Sequence, residues 1–344
     1  MNKQKYLMNG FPFLSEAYKK GLPKYEYYNI APLNTKSDFE YYIKDILGFR
    51  QLMTSGKIKE YNVVHINNWE NFIQYKKMSN QVSIAESHAF HLGLDLRKGL
   101  ADSEWWKKTV VYGLGGPIFH KLTQRNIKNF DLYYVAIPNL LETAKTIRSD
   151  AQWLPNPIDT GIFKKSRTQF EVEGDPAIFF PTRIHKMKEP DKGFEIFLKI
   201  KKHFPKAKLH LIRYPDRYCQ YNVYKPYLDK MQKDIIWHPF VDRKDLPKFY
   251  NSFDLILGAF GKGLLNLVEL EAMACNATVV TYDKYEFVKK ELNELPEFAI
   301  DLLTRPTLKK HYTQQSYGYV INVHSPKNVC KLHLKNLRAV NPQL

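Results

Sequence analysis

The stretch Asp254–Asp283 reads DLILGAFGKGLLNLVELEAMACNATVVTYD. Leu255–Gly258 is a compact apolar run ended by glycine, which predicts a buried strand. Gly261 and Gly263 then allow a tight backbone path. Leu267–Ala274 has a helical pattern, with Asn266 at its N-cap and Glu269 three residues on to complete a capping box. Thr278–Thr281 (TVVT) is rich in β-branched residues and predicts the next strand. A strand, loop, helix and strand in this order form the repeating unit of an α/β fold.

Free N–H groups at a helix start favour an anion, so the turn from Gly261 to Leu267 suits a phosphate; an ordinary capped helix reads the same way. Glu269 and Glu271 are two apart and cannot share a helix face. With Glu269 engaged in the cap, Glu271 stands beside Leu270, Ala272 and Met273 and needs a partner. A ligand's hydroxyl pair would serve, and so would a salt bridge to a nearby lysine.

Outward from this stretch, strand-like and helix-like segments alternate. Ala177–Phe180 (AIFF) and Lys208–Ile212 (KLHLI) predict strands, with a helix between them over Lys192–His203. Arg183, Lys186, Lys188 and Lys192 follow the first of these strands, where open α/β sheets bind ligands. Ile235–Trp237 predicts another short strand and Leu246–Asn251 a helical turn. Earlier, Tyr61–Ile66, Gln81–Glu86, Phe130–Ile137 and Ala151–Leu154 predict strands, and Pro138-Asn139 open a helix through Ile147. The expected organisation is an N-terminal Rossmann-like domain over 1–155, a C-terminal one over 156–322, and a terminal helix over 323–344 that crosses back.

The 344 residues carry 52 Lys+Arg against 35 Asp+Glu, a net charge of +17, with 44% apolar residues. That balance excludes wholesale disorder. The excess favours phosphate-bearing partners: a nucleotide, an anionic membrane surface or nucleic acid. No apolar run approaches the roughly 18 residues of a membrane span. Cys219, Cys275 and Cys330 are far apart and suggest neither a disulfide framework nor a zinc site. With no signal-peptide pattern at the N-terminus, the expectation is a cytoplasmic protein, peripheral at most to a membrane. His65, His88 and His91 lack metal-ligand spacing, so no metal and no resident cofactor are expected. Gly113-Leu114-Gly115-Gly116-Pro117 is a turn rather than a dinucleotide fingerprint.

From Pro155 onward the order of motifs resembles the GT-B glycosyltransferases of the retaining glycosyltransferase family 4. Leu154-Pro155-Asn156-Pro157-Ile158-Asp159-Thr160 with Phe163 resembles the family's P-N-G-V-D-x-x-x-F signature. Arg183 followed by Lys192-Gly193 resembles G-R-L…K-G, and Asp254–Asp283 resembles the stretch around E-x7-E. His324-Ser325 with Lys327–Leu337 is similar to the C-terminal crossover segment. In the first half, Val63-Val64-His65 is similar to D-V-V-H-x-H and Glu86-Ser87-His88 to T-x-H. Asn9-Gly10-Phe11-Pro12 stands where the family has a glycine-rich loop.

The resemblance implies two Rossmann-like domains facing each other across a cleft. It implies sugar transfer from a nucleotide-sugar co-substrate with retained configuration. Arg183 with Lys188 or Lys192 would hold the diphosphate; Lys192 matches by its K-G context and Lys188 by spacing. Glu271 would bind the ribose hydroxyls, Leu267 and its neighbours would offer N–H groups, and His88 would face the reacting sugar. The first glutamate of E-x7-E falls on Gly263, with Lys262 or Asn266 as nearby substitutes. The absence of a D-x-D motif favours a metal-independent reaction. The acceptor, a lipid-linked or other glycan or a nucleic acid, is left open. Two rivals fit the same residues. Gly263 points to a GT-B protein that binds a phosphorylated ligand without transfer. The net charge, with Tyr214, Tyr218, Tyr221, Tyr224 and Tyr227 among basic residues, points to a nucleic-acid binder.

Overall fold

The computed structural model describes residues 4–9, 12–30, 38–66, 75–76, 78, 81–87, 125–215, 219–261, 263–284 and 286–344. The chain divides into two compact units, Met1–Pro157 with Pro326–Leu344, and Ile158–Ser325.

The first unit opens with β1 (Gln4–Asn9), α1 (Pro12–Gly21), β2 (Tyr25–Asn29) and α2 (Asp38–Thr54). Next come β3 (Val63–Ile66), β4 (Val82–Ser87), β5 (Leu132–Val135), α3 (Leu141–Ile147) and β6 (Gln152–Trp153). The strands form one sheet in the order β2-β1-β3-β4-β5-β6, and every pairing is parallel. Parallel sheets bury both faces, and β3 and β5 are accordingly apolar throughout or nearly so. Phe49, Val64, Tyr133 and Leu140 belong to the core on one face; Tyr6, Tyr18, Ile84 and Tyr134 belong to the other.

The second unit contains β7 (Ala177–Phe180), α4 (Pro190–His203), β8 (Lys208–Ile212), α5 (Lys225–Lys230) and β9 (Ile235–His238). It continues through α6 (Leu246–Tyr250), β10 (Leu255–Leu257), α7 (Leu267–Ala274), β11 (Val279–Val280), α8 (Leu295–Thr304) and α9 (Pro306–His324). Its sheet runs β11-β10-β7-β8-β9, again all parallel. The order reverses between β7 and β10, which makes the C-terminal ends of these two strands a topological switch point. The helix α4 packs close to the sheet: a Cβ on Gly193 would lie 2.6 Å from Phe180 Cζ. The K-G glycine is therefore a packing requirement.

The last helix, α10 (Pro326–Val340), belongs to the first unit. It buries Val329, Cys330, His333 and Leu337 beside Tyr6, Tyr18 and Tyr134. There the Tyr6 hydroxyl bridges two imidazoles, 2.9 Å from His65 Nδ1 and 2.8 Å from His333 Nε2. His65 Nε2 lies 2.8 Å from Glu86 Oε2 without the alignment of a hydrogen bond.

Candidate functional site

Two loops meet at the switch point of the second unit. The loop after β7 carries Arg183 and Lys188; the loop after β10 carries Gly263 and Asn266. They are tied together through the Lys188 carbonyl, which accepts from the N–H groups of Phe260 (3.2 Å) and Gly261 (3.3 Å). Lys188 Nζ then donates to Asn266 Oδ1 at 2.6 Å. An ammonium group is thus held at the N-terminus of α7, where the first N–H groups and the macrodipole favour negative charge. Arg183 is exposed on the same loop and opposes the rise that burial imposes on the Tyr214 hydroxyl.

The capping box forms: Asn266 N–H donates to Glu269 Oε2 at 3.0 Å. The other oxygen, Oε1, accepts from Ala259 N–H at 2.5 Å, which locks the two ends of the loop together. Glu269 is buried, and desolvation raises its pKa against these bonds. Gly263 sits in the left-handed region at φ +62°, and its carbonyl accepts Lys284 N–H at 3.1 Å.

Glu271 is buried in the second turn of α7 and does find a salt-bridge partner, but an arginine rather than a lysine. Arg243 Nη1 donates to Oε1 at 2.7 Å, and the Tyr250 hydroxyl approaches Oε2 at 3.5 Å. Burial dominates these contacts and pushes the Glu271 carboxyl up to about 7. Arg243 lies over the ring of Phe163 at 4.6 Å. Phe163 N–H donates to the Asp159 carbonyl at 2.8 Å, and Asp159 Oδ1 accepts from Gly161 N–H at 3.0 Å. Phe163 and Glu271, from two separate motifs, are therefore neighbours in space through one arginine. Arg243 stands in no motif of the sequence. Its only signal is an Asp-Arg-Lys run beyond the C-terminal end of β9, where ligand-binding loops gather.

Lys192 goes elsewhere. It lies in the first turn of α4, 3.8 Å from Asp191 and 3.7 Å from Glu195, and so inside a helix rather than in the basic loop. Lys186 stands in the short 3-10 turn Lys186–Lys188. Leu267 is the first residue of α7. His88 and His91, Lys262, the Gly113–Pro117 turn and Tyr218 lie outside the described residues. Of the other clustered tyrosines, Tyr214 donates to the Pro181 carbonyl at 2.9 Å and Tyr221 to the Tyr214 carbonyl at 3.0 Å. Tyr224 and Tyr227 pack with Phe194. Among the described residues no three His, Cys, Asp or Glu side chains could hold a metal ion, and no helix is long and apolar enough to cross a membrane.

Two doubly wound parallel units, one with a basic loop and a capped helix at its switch point, define the class: this is the GT-B fold. The sucrose-phosphate synthase of Thermosynechococcus elongatus is similar over 99% of this chain and 100% of that one, with TM-score 0.71 and 14% identity. Anabaena HepE in complex with UDP and glucose matches 98% of this chain and 100% of that one, with TM-score 0.60 and 9% identity. A TarM variant of S. aureus in complex with UDP matches 86% of this chain and 59% of that one, with TM-score 0.60 and 12% identity. No curated protein matches the chain by sequence. Residues 162–295 match the family Glycosyl transferases group 1. That match falls within the second unit.

Proposed function

We propose that the second unit binds the donor at the β7–β10 switch point, with the nucleoside toward Glu271 and the diphosphate toward Lys188 and Asn266. The observation that carries this reading is the convergence of Lys188 Nζ on Asn266 Oδ1 at the start of α7, with Glu271 on the same helix. Glu271 Oε2, with only a 3.5 Å contact to Tyr250, is the oxygen suited to accept ribose hydroxyls. Lys188, the first N–H groups of α7 from Leu267 onward, and Arg183 neutralise the departing diphosphate without a metal. The sugar–oxygen bond to phosphate breaks while the acceptor oxygen attacks from the same face. A departing phosphate oxygen takes the acceptor's proton, so configuration is retained. Lys192 serves at the margin of the site.

The test is nucleotide release from a panel of UDP-, GDP-, ADP- and dTDP-sugars, with Glu271→Ala alongside. Release from one donor, lost in the variant, supports the assignment. Failure of every nucleotide and nucleotide sugar to bind or to raise the Tm overturns it.

A second observation bears on the acceptor. In the first unit a groove of about 1000 Å³ between α1 and α10 is lined by Lys20, Lys327, Lys331, Lys335 and Arg338, with Leu332 beside them. Cations repeating along one helix face with an exposed leucine suit an anionic lipid surface. The acceptor on this reading is lipid-linked. Sedimentation with vesicles containing phosphatidylglycerol but not with neutral vesicles, weakened in a Lys331→Glu, Lys335→Glu variant, would support it. Equal partition between the two vesicle types would defeat it.

A further inference from the structure

Arg243 meets Glu271 from a loop that carries none of the expected donor residues, and its role there rests on the donor reading above. Glu271 lies on α7 with its carboxylate buried, and burial by itself favours the neutral acid. A neutral acid has a proton of its own to place, whereas an ionised carboxylate only accepts. Two donating ribose hydroxyls therefore call for the ionised form.

The groups facing Glu271 divide by charge. From the loop after β9, Arg243 Nη1 donates to Oε1 at 2.7 Å and opposes the effect of burial. From α6, the Tyr250 hydroxyl stands 3.5 Å from Oε2. Burial first and Glu271 second hold the Tyr250 pKa well above its usual value, so it stays neutral. On α7 itself, Glu269 acts against the ionised form. Cys275, one turn further on, is a neutral thiol, pushed up to about 12 by burial and then by Glu271. The strand β11 adds only Val279 and Val280. The helix α9 also packs on α7, with Tyr312 bonded to the Val279 carbonyl and His324 to Glu286. Arg243 is the cation of this set.

Its geometry is set by a third segment. The guanidinium lies over the Phe163 ring at 4.6 Å, and that ring is buried. A planar guanidinium seated by its face presents its N–H groups in a fixed plane, and one of them meets Oε1. The carboxylate is thereby oriented through one oxygen, and Oε2 is left to Tyr250 and a ligand.

We propose that Arg243 is a positioning residue of the donor site: it holds Glu271 by one oxygen and keeps charge on it, so that the other oxygen accepts the ribose. It acts through Glu271 and not by touching the donor.

The experiment titrates UDP and GDP into the full chain by calorimetry between about pH 6 and about pH 9. The variants are Arg243→Gln, Arg243→Lys, Glu271→Gln and the double variant Arg243→Gln, Glu271→Gln. Arg243→Gln should weaken the nucleotide that binds by about tenfold at neutral pH. The half-point of its pH dependence should rise from near 7 to about 8 or above. Arg243→Lys keeps the charge and should retain most of the affinity and the lower half-point. In the Glu271→Gln background, Arg243→Gln should change affinity less than about twofold, because its path to the donor is gone. Urea unfolding reads the same group without a ligand. Stability that falls with rising pH up to about 7 should go on falling to about pH 8 in Arg243→Gln.

An equal loss with and without the Glu271 carboxylate, or a half-point that Arg243→Gln does not move, overturns the proposal. If Glu271→Gln weakens binding while Arg243→Gln does not, the donor site stands and only the role of Arg243 falls. If neither nucleotide binds, or Glu271→Gln binds as the unaltered chain does, the donor reading falls and takes this proposal with it.

Discussion

Arg243 and Glu271 stand 28 residues apart in the chain and meet at 2.7 Å, with the carboxylate buried and the guanidinium two-fifths exposed. The pair joins the loop after β9 to the helix after β10, and the cost of burial outweighs the attraction.

The first prediction concerns pH. Glu271 titrates near 7 in the folded chain and near 4.5 when unfolded, so between these values the folded chain binds more protons. Stability from this group is therefore full below pH 4.5, falls as pH rises toward 7 and stays low above it. The loss is on the order of 3 kcal/mol. Urea unfolding should show this fall, and Glu271→Gln should flatten it.

Donor affinity should move the opposite way. Ribose hydroxyls donate to the ionised carboxylate, so binding should tighten about tenfold from pH 6 to pH 8. Calorimetry with the nucleoside diphosphate reads this directly. Affinity independent of pH would show that Glu271 does not receive the ribose.

The two lysines can be separated by substitution. Lys188→Ala removes the ammonium at the start of α7 and should weaken diphosphate binding by about 10- to 100-fold. Lys192→Ala, paired with Asp191 and Glu195, should change it less than about twofold.

In the first unit, burial and the nearby His65 hold His333 well below the usual histidine pKa. Below about pH 6.5 the unfolded chain takes up a proton that the folded one refuses, so stability is lost as pH falls. Tyr6→Phe removes the hydroxyl partner of one nitrogen on each imidazole and should cost about 1–3 kcal/mol, read as a lower urea midpoint.

Gly193→Ala should also destabilise, by about 1–3 kcal/mol, because the added methyl meets the Phe180 ring. An unchanged midpoint would mean that α4 shifts freely on the sheet.

Most of the second unit could be read along the chain. Ala177–Phe180, Lys208–Ile212 and Leu267–Ala274 are elements with the bounds expected, since apolar runs and caps are short-range signals. Other elements gave no such signal. The strand Gln4–Asn9 mixes polar residues with Tyr6, and Tyr25–Asn29 is mostly tyrosine. The helix Pro306–His324 buries polar positions such as Thr313, Ser316 and His324 in place of an apolar stripe. Its pattern is visible only once Thr313 meets Thr278 at 2.7 Å and His324 meets Glu286 at 2.9 Å.

Local order along the chain thus carries the α/β class, the capped helix after Gly263 and the basic loop after β7. It does not say which lysine reaches that helix or what answers Glu271. Lys188 and Asn266 are 78 residues apart, and they meet because the sheet reverses its strand order between β7 and β10. Capping and periodicity act over one or two turns, whereas these pairings depend on how distant strands are laid side by side.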